Sequence, residues 1–282
     1  MKLVGSSFSK ENFRVIEDTA INMNIIEGML QGTNEVPIYV IRNLYDEKTC
    51  NEINNVFENL VTQTGGNRIE EFVKVFQVGA TQFQKNTLEY FEECRLTRPN
   101  IDLILSSISN TDHKNDFILE KSMGEYFQQR EINFGPSSFD GKECNQFTIR
   151  KWNNKEGLSL LAHEDLSQLS VANAEQYEIG EVQNVIAQNL CIENSAKARL
   201  LLWNIAPDLD SKKSLEVEKT GYPYALDLLE GFDYLTLDTN PGDVYFINAN
   251  YIHAVSKEKE NKRTSLGRFI GSVSSNRISY WT

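Results

Sequence analysis

The chain has 282 residues, with 28 Lys plus Arg against 40 Asp plus Glu, a formal charge of -12 and 40% hydrophobic residues. An acidic balance without a basic tract interleaved with aromatics argues against a nucleic-acid partner, and no apolar run approaches the roughly 18 to 20 residues of a membrane span. No secretory signal opens the sequence and Cys50, Cys94, Cys144 and Cys191 form no CxxC pair, so the expectation is a cytoplasmic protein with reduced thiols and one domain over residues 1–282.

Residues 37–44 read as a strand, and Asp46 as the cap of an amphipathic helix over 47–60. A Gly-containing break at 62–67 precedes helical stretches over 68–75, 85–94, 101–109 and 117–129, so residues 1–135 are expected to be mainly helical support. From there β-prone runs dominate: 146–152, 160–166, 185–192, 199–205, 234–237, 243–247, 251–256 and 263–274. Eight runs suffice for a jelly roll built from 136–282, which makes the fold class α+β with a mainly β core. Two connections, 167–183 and 206–231, are candidate lids, the second equally a plain surface connection. Pro241-Gly242-Asp243 reads most simply as a turn that starts the strand leading to His253.

Two of the three histidines carry the chemistry. His163-Glu164-Asp165 is followed ninety residues later by His253, and then by Arg263 and Ser265. Two neutral imidazoles and one carboxylate on one face of a metal leave the opposite face open, a geometry suited to Fe(II) oxygen chemistry. If 160–166 is extended, His163 and Asp165 share a face and Glu164 points away, which makes Glu164 a poor ligand. A charged, turn-like stretch over 257–261 suggests an antiparallel hairpin that sets His253 opposite Arg263, with Ser265 on the same face and Arg268 on the other. A guanidinium beside the open metal face can grip a carboxylate in two bonds, and a serine hydroxyl adds a donor. His113 lies in a polar stretch where a solvated histidine is the default. Arg150 suits contact with cosubstrate or substrate and a structural ion pair equally.

His163-x-Asp165, His253 and Arg263-x-Ser265, in that order and spacing, resemble the Fe(II)/2-oxoglutarate-dependent oxygenases, whose core is a double-stranded β-helix of jelly-roll type. A closer likeness is to the carrier-independent aliphatic halogenases of the welwitindolinone type, carried by Thr148-Ile149-Arg150, Leu200 to Asn204, Phe246-Ile247-Asn248 and Ile278-Ser279-Tyr280-Trp281-Thr282. It covers the second half of the chain; the first half is similar in layout alone. The resemblance implies Fe(II) on His163, Asp165 and His253, with 2-oxoglutarate held by Arg263 and Ser265. It further implies activation of O2, decarboxylation of the keto acid to succinate and CO2, and hydroxylation of an unactivated C–H bond. Those halogenases have glycine where this chain has Asp165, a departure that disfavours halogenation.

The implied substrate is a free small molecule of specialised metabolism, such as an alkaloid, a terpenoid or an amino acid derivative, with desaturation or cyclisation open to the same site. A hydroxylase of a free amino acid is the nearest rival, and it would need a charged clamp for carboxylate and ammonium near the iron. Outside the enzymes, a non-catalytic metal- or 2-oxoglutarate-binding module is the alternative, and the intact set of ligands argues against it. Substrate contacts are expected from the N-terminal helices, and oligomeric state is left open.

Overall fold

The eight β-prone runs form the strands Thr148–Trp152, Leu160–His163, Ile186–Asn194, Arg199–Trp203, Tyr234–Asp238, Val244–Asn248, His253–Val255 and Arg263–Ser274 in a computed structural model that describes residues 3–69, 74–152, 158–194, 198–256 and 263–282. These strands divide between two sheets. The larger carries, side by side, Val244–Asn248, Ile186–Asn194, Arg263–Ser274 and Thr148–Trp152; the smaller carries Leu160–His163, His253–Val255, Arg199–Trp203 and Tyr234–Asp238. All of these neighbours are antiparallel, so the eight runs close into a double-stranded jelly roll. Strand alternation then sorts the side groups: Arg263, Ser265 and Phe269 face the space between the sheets, while Leu266 and Ile270 join the core beyond the larger sheet.

That outer core is covered by the helices Met23–Gln31, Glu47–Thr64, Thr87–Ser107 and Glu120–Gln128. Glu47–Thr64 starts where the Asp46 carboxylate accepts a bond from Thr49 N at 2.7 Å. It buries Cys50, Ile53, Phe57 and Leu60 at three- and four-residue spacing against Ile186–Asn194 and Lys74–Val78. The expected helices over 85–94 and 101–109 are one helix, Thr87–Ser107, which runs through Pro99. Proline removes one backbone donor, and the burial of Tyr90, Phe91, Cys94, Ile101 and Ile104 on both sides of it holds the helix together.

The first half is also less helical than expected. The described residues of the helix expected over 68–75 are strands instead: Asn67–Ile69 and Lys74–Val78 pair with each other beside Thr148–Trp152, and residues 70–73 lie outside the described residues. An open sheet edge offers this β-branched stretch backbone partners that an isolated helix could not match. Val15–Asp18 and Ile38–Ile41 extend the opposite edge, the latter within the expected run at 37–44. Pro241-Gly242-Asp243 is the turn foreseen, with Asp243 fully buried and accepting from Arg42, Asn43 N and Asn240 N. Gly242 has a φ of +92°, and a Cβ there would overlap the Tyr45 carbonyl.

All four cysteines are buried and free, their thiols pushed up by burial to about 11 or 12. Among the described residues no helix is long and apolar enough to cross a membrane.

Arg268 shows what strand parity does on the outer face. Its guanidinium donates to Gln188 Oε1 at 2.7 Å and to Ile118 O at 3.0 Å, pairs with Glu120, and stacks 4.2 Å from the Tyr280 ring centroid. Arg268→Leu is expected to lower unfolding free energy by about 3 kcal/mol, read from the urea midpoint, while 2-oxoglutarate affinity stays unchanged.

Candidate metal centre

His163 and His253 are register partners on adjacent strands of the smaller sheet, so their imidazoles leave one face together, with ring centroids 4.1 Å apart. Each Nδ1 faces the carbonyl two residues earlier, Leu161 O at 2.7 Å and Tyr251 O at 2.9 Å. A carbonyl only accepts, so each Nδ1 carries the ring proton and each Nε2 presents a lone pair when the ring is neutral. Asp165 completes the group: Oδ1 lies 3.8 Å from His163 Nε2, Oδ2 lies 3.3 Å from His253 Nε2, and one ligand atom from each residue falls within 4.8 Å of the others.

The electrostatics fit a cation. Burial, and next the proximity of His253, push the His163 imidazole down to about 4 and favour its neutral form. Burial also opposes charge on His253 and Asp165. Their mutual attraction overcomes it, holding His253 above and Asp165 below their ordinary values. Asp165 Oδ2 is buried with no aligned hydrogen-bond donor, a costly state for a carboxylate oxygen and one that a divalent ion at the three ligand atoms would relieve. The donor set of two imidazoles and one carboxylate therefore fits Fe(II).

Two expectations about how the sequence builds this group need correction. Leu160–His163 ends at the histidine, and Asp165 takes a helical conformation (φ -103°, ψ -13°) ahead of the turn Leu166–Leu169, so Asp165 reaches the histidines by a bend and not by strand alternation. Nor do His253 and Arg263 face each other across a hairpin. His253–Val255 pairs with Leu160–His163 and Arg199–Trp203, whereas Arg263–Ser274 lies in the larger sheet between Ile186–Asn194 and Thr148–Trp152; residues 257–262 lie outside the described residues. Successive jelly-roll strands cross between sheets, so Arg263 meets the histidines from the opposite wall.

Glu164 does point away, fully buried and paired with Lys212 Nζ at 3.0 Å, and it also accepts from Ser167 N and Oγ. Sequence reasoning missed Lys212, whose partner lies 48 positions away with no periodic signal. The 206–231 stretch that carries it straps the motif in place. Gly221 O accepts from Glu164 N at 2.9 Å, and Tyr222 stands edge-on to His163 at 5.9 Å. The other candidate lid, 167–183, packs Ala172, Tyr177, Ile179 and Val182 into the main core, which is the mark of a fixed wall.

The cavity over the histidines is walled by Leu160, Ala187, Leu200, Ile247, Val255 and Phe269, and is closed on the larger-sheet side by Arg150, Arg263, Ser265 and Tyr245. Arg263 is 5% exposed; its Nη2 donates to Tyr245 Oη at 2.9 Å, and its Nε is buried without a partner, so an acceptor is wanted there. Ser265 is the register partner of Arg150 and lines the same space. The lining comes from strands and strand ends; the N-terminal helices, expected to supply substrate contacts, contribute none of it among the described residues. His113 is remote, held by Thr49 Oγ1 at 2.9 Å and edge-on to Tyr45.

No family model matches the chain. L-isoleucine 3(1)-dioxygenase of Pantoea ananatis (strain AJ13355) is 36% identical over 286 residues, covering 99% of this chain and 96% of that protein. Among solved structures, an N-substituted L-amino acid dioxygenase from Burkholderia ambifaria AMMD matches with a TM-score of 0.54 at 10% identity, over 92% of this chain and 91% of that one. The α-ketoglutarate-dependent epimerase SnoN of nogalamycin biosynthesis matches with a TM-score of 0.50 at 10% identity, over 90% and 88% of the two proteins. Those two likenesses concern the fold. The end-to-end identity with a curated dioxygenase settles the family, and the chain belongs to the Fe(II)/2-oxoglutarate-dependent dioxygenases, enzymes that work with Fe(II), 2-oxoglutarate and O2.

Proposed function

We propose that this dioxygenase hydroxylates an unactivated C–H bond on the aliphatic portion of a free L-amino acid of the isoleucine type, as one oxygenase domain over residues 1–282. The observation that carries this reading is the match to L-isoleucine 3(1)-dioxygenase along nearly the whole of both proteins. It moves the amino acid ahead of the alkaloid or terpenoid that the halogenase likeness suggested.

His163, Asp165 and His253 hold the metal through Nε2, a carboxylate oxygen and Nε2, their orientation fixed by Leu161 O, Gln168 Nε2 and Tyr251 O. Arg263 and Ser265 take the distal carboxylate of 2-oxoglutarate, with Tyr245 keeping the guanidinium aimed into the cavity. Bound iron, with 2-oxoglutarate and O2, supplies the oxidation of the C–H bond as the keto acid is converted to succinate and CO2. The apolar walls exclude water from that reaction and accept an aliphatic group. The resemblance to the halogenases would then be one of architecture, with Asp165 supplying a carboxylate ligand where they have glycine.

The reading is tested by screening the iron-loaded enzyme against free L-amino acids in the presence of chloride, measuring succinate and product masses. Succinate formation stimulated by isoleucine, leucine or valine, with products heavier by one oxygen, is the expected result. No stimulation by any amino acid sinks the substrate assignment, and a chlorinated product sinks the role given to Asp165. Arg263→Ala is expected to weaken 2-oxoglutarate binding by roughly 10- to 100-fold, the loss of a charge-assisted pair of hydrogen bonds, with iron affinity unchanged in an anaerobic titration.

A further inference from the structure

Two arginines enter the metal cavity, and the 2-oxoglutarate site uses one. Arg150 lies on the inner face of Thr148–Trp152, directly across from Ser265 in register, and lines the same cavity as His163, Asp165, His253 and Arg263. Its guanidinium is oriented from the N-terminal half of the protein: Nε donates to Gln77 Oε1 at 3.1 Å and Nη2 to Thr81 Oγ1 at 3.2 Å. Gln77 is in turn tied down, donating from Nε2 to Gly79 O at 3.0 Å. The strand register and these two bonds help to hold the group on the wall that faces the metal ligands.

Position and charge together give this residue a task. A free amino acid brings a carboxylate into the cavity, and among the described residues that line it only the guanidinium groups of Arg150 and Arg263 carry a permanent positive charge. With Arg263 facing 2-oxoglutarate, Arg150 is the cation that an incoming carboxylate meets. Apolar walls strengthen that attraction relative to water. We propose that Arg150 is the binding residue for the α-carboxylate of the amino acid substrate, placed by Gln77 and Thr81 so that the aliphatic portion extends over the metal. The inference rests on the amino acid reading above and deepens it. It also provides half of the charged clamp that a free amino acid requires.

The test compares wild-type, R150Q and R150K enzymes loaded anaerobically with Fe(II) and 2-oxoglutarate, titrating each with L-isoleucine and with its decarboxylated counterpart 2-methylbutylamine. Binding is followed by titration calorimetry and by the shift of the visible band of the chelated keto acid, so the readout does not depend on turnover. Wild type should prefer the amino acid over the amine. R150Q should lose roughly 10- to 100-fold in affinity for L-isoleucine and nearly all of that preference, with 2-oxoglutarate affinity in the absence of amino acid unchanged and R150K intermediate. If R150Q is not recovered folded, R150K carries the comparison, because a single ammonium cannot reproduce the forked contact. Undiminished isoleucine binding in a folded variant overturns the proposal, and so does a fall in 2-oxoglutarate affinity, which would give Arg150 to the cosubstrate. Wild-type enzyme that binds no amino acid at all would overturn the substrate reading itself, a result distinguishable from either.

Discussion

His253→Ala is expected to leave a folded protein that has lost iron and, with it, turnover. The variant removes one of three ligand atoms and also the imidazole beside Asp165, so that carboxylate remains in a buried site with Gln168 as its one close side-group donor among the described residues. Changes to the outer partners of metal ligands already cost about 10- to 100-fold in metal affinity, so loss of a ligand should exceed about 100-fold. Anaerobic addition of Fe(II) and then 2-oxoglutarate gives the measurement: wild type should develop the visible band of a chelated keto acid and the variant should not, at equal far-UV circular dichroism. His163→Ala should behave alike. A band of full strength in both variants would show that the iron sits elsewhere and would end this reading of the site.

Lys212→Met should produce a large loss of stability without touching a ligand. Exposure is 9% for the Lys212 side group and 0% for that of Glu164, so removing the ammonium strands a carboxylate without solvent. Breaking a buried pair from one side costs about 3–5 kcal/mol, and the bonds from Ser167 place this case near the lower end. Because Glu164 stands between two ligands, iron affinity should fall with stability. The double variant Glu164→Leu with Lys212→Met should recover most of the loss in urea unfolding, since two apolar groups need no partner. Removing the exposed pair Arg199–Asp238 should cost less than about 1 kcal/mol. Equal effects from the two pairs would refute the importance given to burial.

Much of the core could be read from the amino acids because its signal is local. Each of the eight β runs alternates or is continuously apolar over a few residues, and that pattern survives in the fold. His163, Asp165, His253, Arg263 and Ser265 come together as expected from their residue types and order, although two of the geometric arguments that linked them were wrong. The hairpin between His253 and Arg263 failed because adjacency in sequence does not say which sheet a strand joins. The extended path through Asp165 failed because the backbone bends where Glu164 meets Lys212, a contact set by the tertiary structure. The same limit hid Gln77 and Thr81, which act on Arg150 from some seventy residues away. The described residues at the two ends of 68–75 were misread because a sheet edge supplied partners that no local window contains.

In the proposed site the two walls of the barrel would contribute different halves of the ligand shell. Histidines project from the smaller sheet and arginine from the larger, so a keto acid that touches both acts as a removable brace across the seam between them. Occupancy is thereby written into the folding equilibrium: at one hundred times its dissociation constant the cosubstrate adds about 2.7 kcal/mol to the native state. Removing 2-oxoglutarate would thus lower the unfolding free energy as well as the rate.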